Sequence, residues 1–265
     1  MRRLALVLSV LVGRTFLSAL PGQRSFNILE EDTQIMADTM DTHDERPQGR
    51  ARLKQLAAES LKSGDATGWF ETLYQAAHGN EEAIPWAHLT ADPILVEWMA
   101  GYPSSAEGKR ALVVGCGLGD DAEYLAHAGY AVTAFDISQE AIAWCQRRFP
   151  DSAVRYVVAD VLALPGAWSR QFDLIVEAYT LQSLPDEALR AQAAANLAQC
   201  LAPGGSLLVI CRGREPDEAR GMMPWPLTRA ELAMFQRQGL REVSFEDLRD
   251  PEEPSVRHFR VHYTA

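Results

Sequence analysis

The chain has 265 residues, of which 47% are hydrophobic and 23% charged, the balance of a folded globular protein and not of a disordered or fibrous one. A formal net charge of −11 excludes a general affinity for nucleic acid or anionic membrane, because phosphate binding needs a basic surface. The four cysteines hold no C-x-x-C pair and the six histidines no H-x-x-x-H pair, so free thiols, a reducing compartment and no metal are expected.

At the start, Arg2 and Arg3 precede the apolar run Leu4–Val12, which looks like a signal peptide but is too short to span a bilayer and is followed by no clear A-x-A site. Residues 1–49 are expected to be a disordered leader or to lie ahead of the true start, with Met36 or Met40 as initiator. The folded domain is expected over 50–265, in the cytoplasm, with export as the lesser alternative. Leu53, Leu56, Ala57 and Leu61 recur at helical spacing over Arg50–Lys62, and Gly64 ends that helix. A second helix over Ala66–His78 carries Trp69, Phe70 and Tyr74, a loop leads to Pro85-Trp86, and a third helix starts near Pro93. Packing is the ordinary role of such aromatic density; covering a cofactor cleft is the other.

The stretch from Arg110 to Asp136 organises everything after it. Ala111–Val114 is a short β-branched apolar run, hence a buried parallel strand. Gly115, Gly117 and Gly119 give G-x-G-x-G, a tight turn whose N–H groups can approach a ligand closely. Cys116 sits in that turn by virtue of small size. Asp136 ends the next strand, Ala131–Phe135, where a carboxylate accepts hydrogen bonds from ribose hydroxyls. At the helix start, Asp120 and Asp121 would repel a diphosphate and suit a ligand with sulfonium and ammonium groups, so the reading is S-adenosylmethionine, not NAD.

Beyond this unit the chain continues as a helix over Ser138–Phe149, a strand over Val154–Val158 reaching Asp160, a strand over Gln171–Val176, a helix over Asp186–Leu201 stopped by Pro203-Gly204-Gly205, and a strand over Ser206–Ile210. Alternating strands and helices mean a parallel sheet with ligands at the carboxyl ends of the strands. The tail departs from this pattern: a helix over Thr228–Gln238 precedes two runs, Leu240–Leu248 and Val256–Tyr263, that suit an antiparallel hairpin at a sheet edge.

Through VVGCGLGDD, AFDIS, VVADVLALP, FDLIVEAYTLQSLP and LAPGGSLLVI, the chain resembles class I S-adenosylmethionine-dependent methyltransferases from about Ala66 to the C-terminus. The resemblance implies an α/β, Rossmann-like seven-stranded sheet, parallel with one antiparallel strand and flanked by helices, with N-terminal helices (50–100) over the cofactor cleft. It implies cofactor contacts from Tyr74, Trp86, Gly115, Cys116, Gly117, Gly119, Asp121, Asp136, Ile137, Asp160, Val161 and Glu177. WFETLY, PW, DPILVEW and MPWPLT look most like the thiopurine and halide/thiol methyltransferase group, although Ala178 stands where bacterial thiopurine methyltransferases usually carry an arginine.

Methyl transfer from a sulfonium is an in-line displacement at an activated carbon, so the protein mainly positions the nucleophile. Candidates for catalysis at the ends of strands four and five are Glu177, Tyr179 and Arg212, with Gln182 and Trp225 beside them. Glu177 is read evenly as an amino-group ligand or base and as a solvated strand-end carboxylate, and Arg212 as an anchor for an anionic acceptor or as a surface arginine. His88 is read as a loop residue and no histidine as a base. The expected acceptor is a small molecule, a thiol or other soft nucleophile, with an O- or N-acceptor and a non-catalytic cofactor-binding module as alternatives. No nucleic-acid or membrane partner is expected, and the chain is read as a monomer or homodimer.

Overall fold

The computed structural model describes residues 55–60, 62–102, 105–221, 223–250 and 254–265, all within one compact unit, Glu45–Ala265. The expectation for residues 1–49 lies outside the described residues.

Seven strands form one sheet in the order β3-β2-β1-β4-β5-β7-β6. They are β1 (Arg110–Val114), β2 (Ala131–Asp136), β3 (Arg155–Val158), β4 (Phe172–Ala178), β5 (Leu201–Arg212), β6 (Arg241–Arg249) and β7 (Arg257–Thr264). The first five pair in parallel. β7 inserts between β5 and β6 and runs antiparallel to both. The expected hairpin is therefore present at the sheet edge, with its second strand the inner, inserted one, as the resemblance implies.

Residues 55–60 are helical, and the helices that follow are α1 (Trp69–Ala77), α2 (Pro93–Gly101), α3 (Asp120–His127), α4 (Gln139–Arg148), α5 (Glu187–Cys200), and the short α6 (Arg229–Leu232) and α7 (Met234–Arg237). The helix expected over Thr228–Gln238 is thus two pieces that meet at Ala233, the first held by a capping box between Thr228 and Glu231. Both faces of the central strands are buried, which is why they read as unbroken apolar runs. Leu112, Val114, Ile175, Leu207 and Val209 pack with α5 on one face. Ala111, Val113, Leu174, Val176 and Leu208 pack with α2 and α3 on the other.

Two local features fix the frame. Buried Arg260 of β7 donates to Glu246 of β6 at 2.7 and 2.8 Å, to the Ile94 carbonyl at 3.0 Å and to Glu97 at 3.2 Å, which fastens the inserted strand to α2. β5 starts at Leu201, earlier than the sequence suggested, and its register shifts where it passes β4. At that point a Cβ on Gly205 would lie 2.9 Å from the carbonyl oxygens of both Ala202 and Phe172.

Because backbone oxygens cannot swing aside as side chains can, Gly205→Ala is expected to cost about 1–3 kcal/mol. Gly166→Ala, where a Cβ meets nothing within 4 Å, is expected to change stability by about 0.5 kcal/mol or less. Urea midpoints of the two variants check this, and equal midpoints would contradict the close approach at Gly205.

Candidate functional site

The site is built where β1 and β2 end. Gly115, Gly117 and Gly119 all have positive φ (58°, 53° and 93°), so the turn needs residues without a Cβ. A Cβ on Gly115 would collide with the Thr180 hydroxyl, and one on Gly119 would lie 2.7 Å from the Tyr156 hydroxyl. Asp136 is buried at the end of β2 and holds the turn: Gly117 N–H donates to its Oδ2 at 3.0 Å and Ser138 N–H to its Oδ1 at 2.9 Å. Burial pushes its pKa up to about 6 despite those donors. Cys116 is partly buried with a free thiol; its N–H donates to the Phe135 carbonyl at 2.8 Å, which joins the turn to β2. Ile137 is half-buried at the mouth of the same loop.

The two acids that open α3 do different things. Asp120 forms a two-point pair with Arg148 at 2.9 and 3.0 Å, so its charge is met within the protein. Asp121 accepts from the Asp92 N–H at 2.8 Å, and burial raises its pKa to about 6. Only Asp121 is left to act on a ligand, which halves the negative charge inferred from the sequence. Beyond β3, Asp160 accepts from Leu162 N–H at 2.8 Å with one oxygen, and Val161 is buried with its carbonyl bound by Asn196 at 2.9 Å.

The aromatic cluster of the N-terminal helices lies directly on the glycine turn. Trp86 Nε1 donates to the Tyr74 hydroxyl at 2.9 Å, and a Cβ on Gly117 would be 3.3 Å from that hydroxyl and 3.7 Å from Trp86 Nε1. Trp69, Phe70 and Tyr74 each meet Trp86 edge to face at centroid distances of 6.0–6.2 Å. Glu71 on α1 fastens this cover to the sheet, accepting from Ser138 Oγ at 2.6 Å and from Glu140 N–H at 3.1 Å.

On the other side of the turn, the end of β4 carries Glu177 and Tyr179. Glu177 is fully buried; its Oε1 accepts from Leu181 N–H at 2.9 Å, its Oε2 has no partner among the described residues, and burial raises its pKa to about 7. Its burial rules out the reading of it as a solvated strand-end carboxylate. Tyr179 has φ +61°, which swings its side chain toward β7, where its hydroxyl lies 3.2 Å from His258 Nδ1. His258 Nε2 is in turn 3.5 Å from Asp250 Oδ2. Burial lowers the His258 pKa, leaving a neutral imidazole, while burial and the Asp92 carboxylate keep the Tyr179 phenol protonated. Arg212 pairs with His258 across the β5–β7 ladder, and its N–H donates to buried Gln182 at 2.7 Å. Trp225 N–H donates to the Gln182 carbonyl at 2.8 Å, so Gln182 gathers the segments after β4 and β5.

Residues 111–205 match the family described as "Methyltransferase domain". The fold is that of a class I methyltransferase. The N-methyltransferase NodS of Bradyrhizobium japonicum, solved in complex with S-adenosylhomocysteine, superposes with a TM-score of 0.58 at 23% identity over 72% of this chain and 97% of that one. Among curated proteins, the ubiquinone biosynthesis O-methyltransferase of Bordetella avium is 29% identical over 47% of this chain and 52% of its own length. Nodulation protein S of Rhizobium tropici is 40% identical over 37% of this chain and 41% of its own length. The chain thus spans about half of the curated methyltransferases it matches, through the methyltransferase core.

Glu71, Asp92, Ser138 and His258 join this site without having been singled out in the sequence. Ser138 was read only as a helix cap. His258 lies in an alternating strand that gives no hint of facing Tyr179, because that contact depends on β7 pairing with β5.

The buried acid Glu177 gives a stability signature. Its folded pKa of about 7 exceeds the ordinary 4.5, so between those values the folded chain holds a proton the unfolded chain has lost. Stability therefore falls as pH rises through that window and stays reduced above it. Glu177→Gln is expected to be more stable than the parent by about 1–3 kcal/mol at pH 8, the gain vanishing below about pH 4.5. Thermal or urea unfolding across pH checks this; a loss of stability at pH 8 would show that the charge has a partner.

Proposed function

We propose that the chain is an S-adenosylmethionine-dependent methyltransferase acting on a small molecule with a hydroxyl or amine acceptor. The observation that carries the cofactor assignment is the Asp136 carboxylate, held at the end of β2 by Gly117 and Ser138 beside a turn that has no room for a Cβ. The residues present fit the group. Asp136 would receive the ribose hydroxyls, Asp160 and Val161 the adenine edge, and Asp121 the methionine amino group. Cys116 and Ile137 line the approach, and Tyr74 with Trp86 would cover it. When bound, the cofactor supplies an activated methyl carbon.

The chain's own residues orient the acceptor and remove its proton. Tyr179 and His258 stand just beyond the carboxyl end of β4, and the neutral imidazole can take a proton relayed through the Tyr179 hydroxyl. Asp250 steadies the resulting imidazolium. With His258 as base, one of the grounds for preferring a soft nucleophile, that no histidine is placed as a base, falls away; the aromatic lid remains as another. Arg212 and Gln182 set the orientation of His258 and of the segment carrying Trp225. Glu177 orders the turn after β4 through Leu181.

A thiol acceptor is the second reading, supported by the aromatic cover of Trp69, Phe70 and Trp86, which keeps water from the turn. A thiol ionises near neutral pH and needs no relay. The curated O-methyltransferase relative lends weight to the first reading.

Calorimetry with S-adenosylhomocysteine, followed by a turnover screen over phenols, amines and thiols, tests the assignment; absence of cofactor binding would reject it. Asp136→Ala is expected to weaken S-adenosylhomocysteine by at least about tenfold, since a charge-assisted hydrogen bond contributes about 1.5–3 kcal/mol. Parent affinity is expected to fall as pH drops through about 6, where Asp136 takes up a proton. An unchanged dissociation constant in folded Asp136→Ala would move the ribose site elsewhere.

His258→Gln is expected to lower kcat for a phenol acceptor by about a hundredfold and to flatten the acid limb of its pH profile, with cofactor affinity kept. The groups facing His258 are Tyr179, Asp92, Arg212 and Asp250. Equal losses for matched phenol and thiol acceptors would argue that His258 only packs.

A further inference from the structure

Resting on the methyltransferase reading above, a second constellation adjoins the acceptor side of the site. The segment between β5 and α6 leaves and returns through a bridge between Gly213 and Leu227, and carries Arg214, Arg220 and Trp225. Arg214 Nη2 donates to Glu231 Oε2 at 3.2 Å, and buried Arg190 of α5 donates to Glu231 Oε1 at 3.2 Å. Burial, then Arg190 and Arg214, disfavour the charge on Arg220, while Glu231 and Asp186 favour it. Its guanidinium lies over Trp225, 4.6 Å from the ring centre.

Two carboxylates, Glu231 and Asp186, act on Arg220, and Glu231 is also bound by the Thr228 N–H and hydroxyl. Asp186 caps Leu189 of α5, Glu215 pairs with Arg257 and Glu218 accepts from the Glu215 N–H, so none of these acids meets Nε or Nη2 of Arg220. Nε and Nη2 of Arg220 have no water-accessible surface and no hydrogen-bond partner among the described residues. Burying two guanidinium donors without acceptors is costly, and the cost is removed when side chains around Arg220 shift to admit an oxyanion that meets the guanidinium at two points. Its position follows from the hydrogen bonds: Trp225 is tied to Gln182 and Arg190 to the Leu184 carbonyl, both in the turn that follows Tyr179.

We infer that Arg220, supported by Arg190 and Arg214 and stacked on Trp225, binds a carboxylate or comparable oxyanion carried by the methyl acceptor, so that the substrate is a small organic acid. The cofactor's own carboxylate is the other source of the same chemistry, and the test separates the two.

With S-adenosylhomocysteine saturating the full chain, melting temperature is followed against inorganic sulfate, with sodium chloride at matched ionic strength as reference. The expected result is a saturable rise with sulfate that is at least tenfold weaker in Arg220→Met and restored in part by Arg220→Lys. In turnover, 4-hydroxybenzoate and 4-aminobenzoate are expected to exceed their methyl esters at least tenfold in kcat/KM, and Arg220→Met to bring that ratio near one. No sulfate effect beyond chloride, or esters equal to acids in the parent, would overturn the inference while leaving methyl transfer intact. A matching loss of S-adenosylhomocysteine affinity in Arg220→Met would assign the site to the cofactor's carboxylate and overturn it also. Failure of the parent to bind S-adenosylhomocysteine would reject the methyltransferase reading itself, and this inference with it.

Discussion

The interaction on which the rest depends is the Asp136 carboxylate accepting from Gly117 N–H with one oxygen and from Ser138 N–H with the other. It fixes the β1 turn to the end of β2 and sets the start of α4, whose cap is the same Ser138. Through Ser138 and Glu140 it also reaches Glu71, and so places the aromatic cover. A buried acid with a pKa near 6 is a costly way to hold a loop. Its position makes sense if part of its hydrogen-bonding capacity is meant for a ligand.

The same logic applies across the sheet. Glu177 is buried with one oxygen unpartnered, Tyr179 adopts a backbone conformation that few residues besides glycine favour, and Arg220 buries two donors without acceptors. All three lie in or beside the segments that follow β4 and β5, whereas the faces of the sheet are packed apolar layers. Strain and unmet polarity that coincide in these segments mark a part shaped for a ligand.

Asp120 and Asp121 show how a sequence reading can be right about a pattern and incomplete about its physics. The two adjacent acids at the start of α3 excluded a diphosphate by repulsion, but Arg148, 28 residues downstream, meets the first of them. An ion pair between α3 and α4 depends on how two helices pack, which spacing along the chain does not encode. The surviving charge argument against a dinucleotide is therefore Asp121 alone.

What the sequence by itself determined is whatever local period and turn chemistry dictate: the βα repeats, the glycine turn, Asp136 at the end of β2, and the aromatic helices ahead of the first strand. These are written within windows of a few residues, because a buried parallel strand must be apolar throughout and a turn with positive φ needs glycine. The tertiary structure alone decided that His258 faces Tyr179 and that Arg190 meets Arg214 and Arg220 around Glu231. Each of these joins residues far apart in the chain. Strand register and helix packing set their distances, and a single sequence carries no direct measure of either.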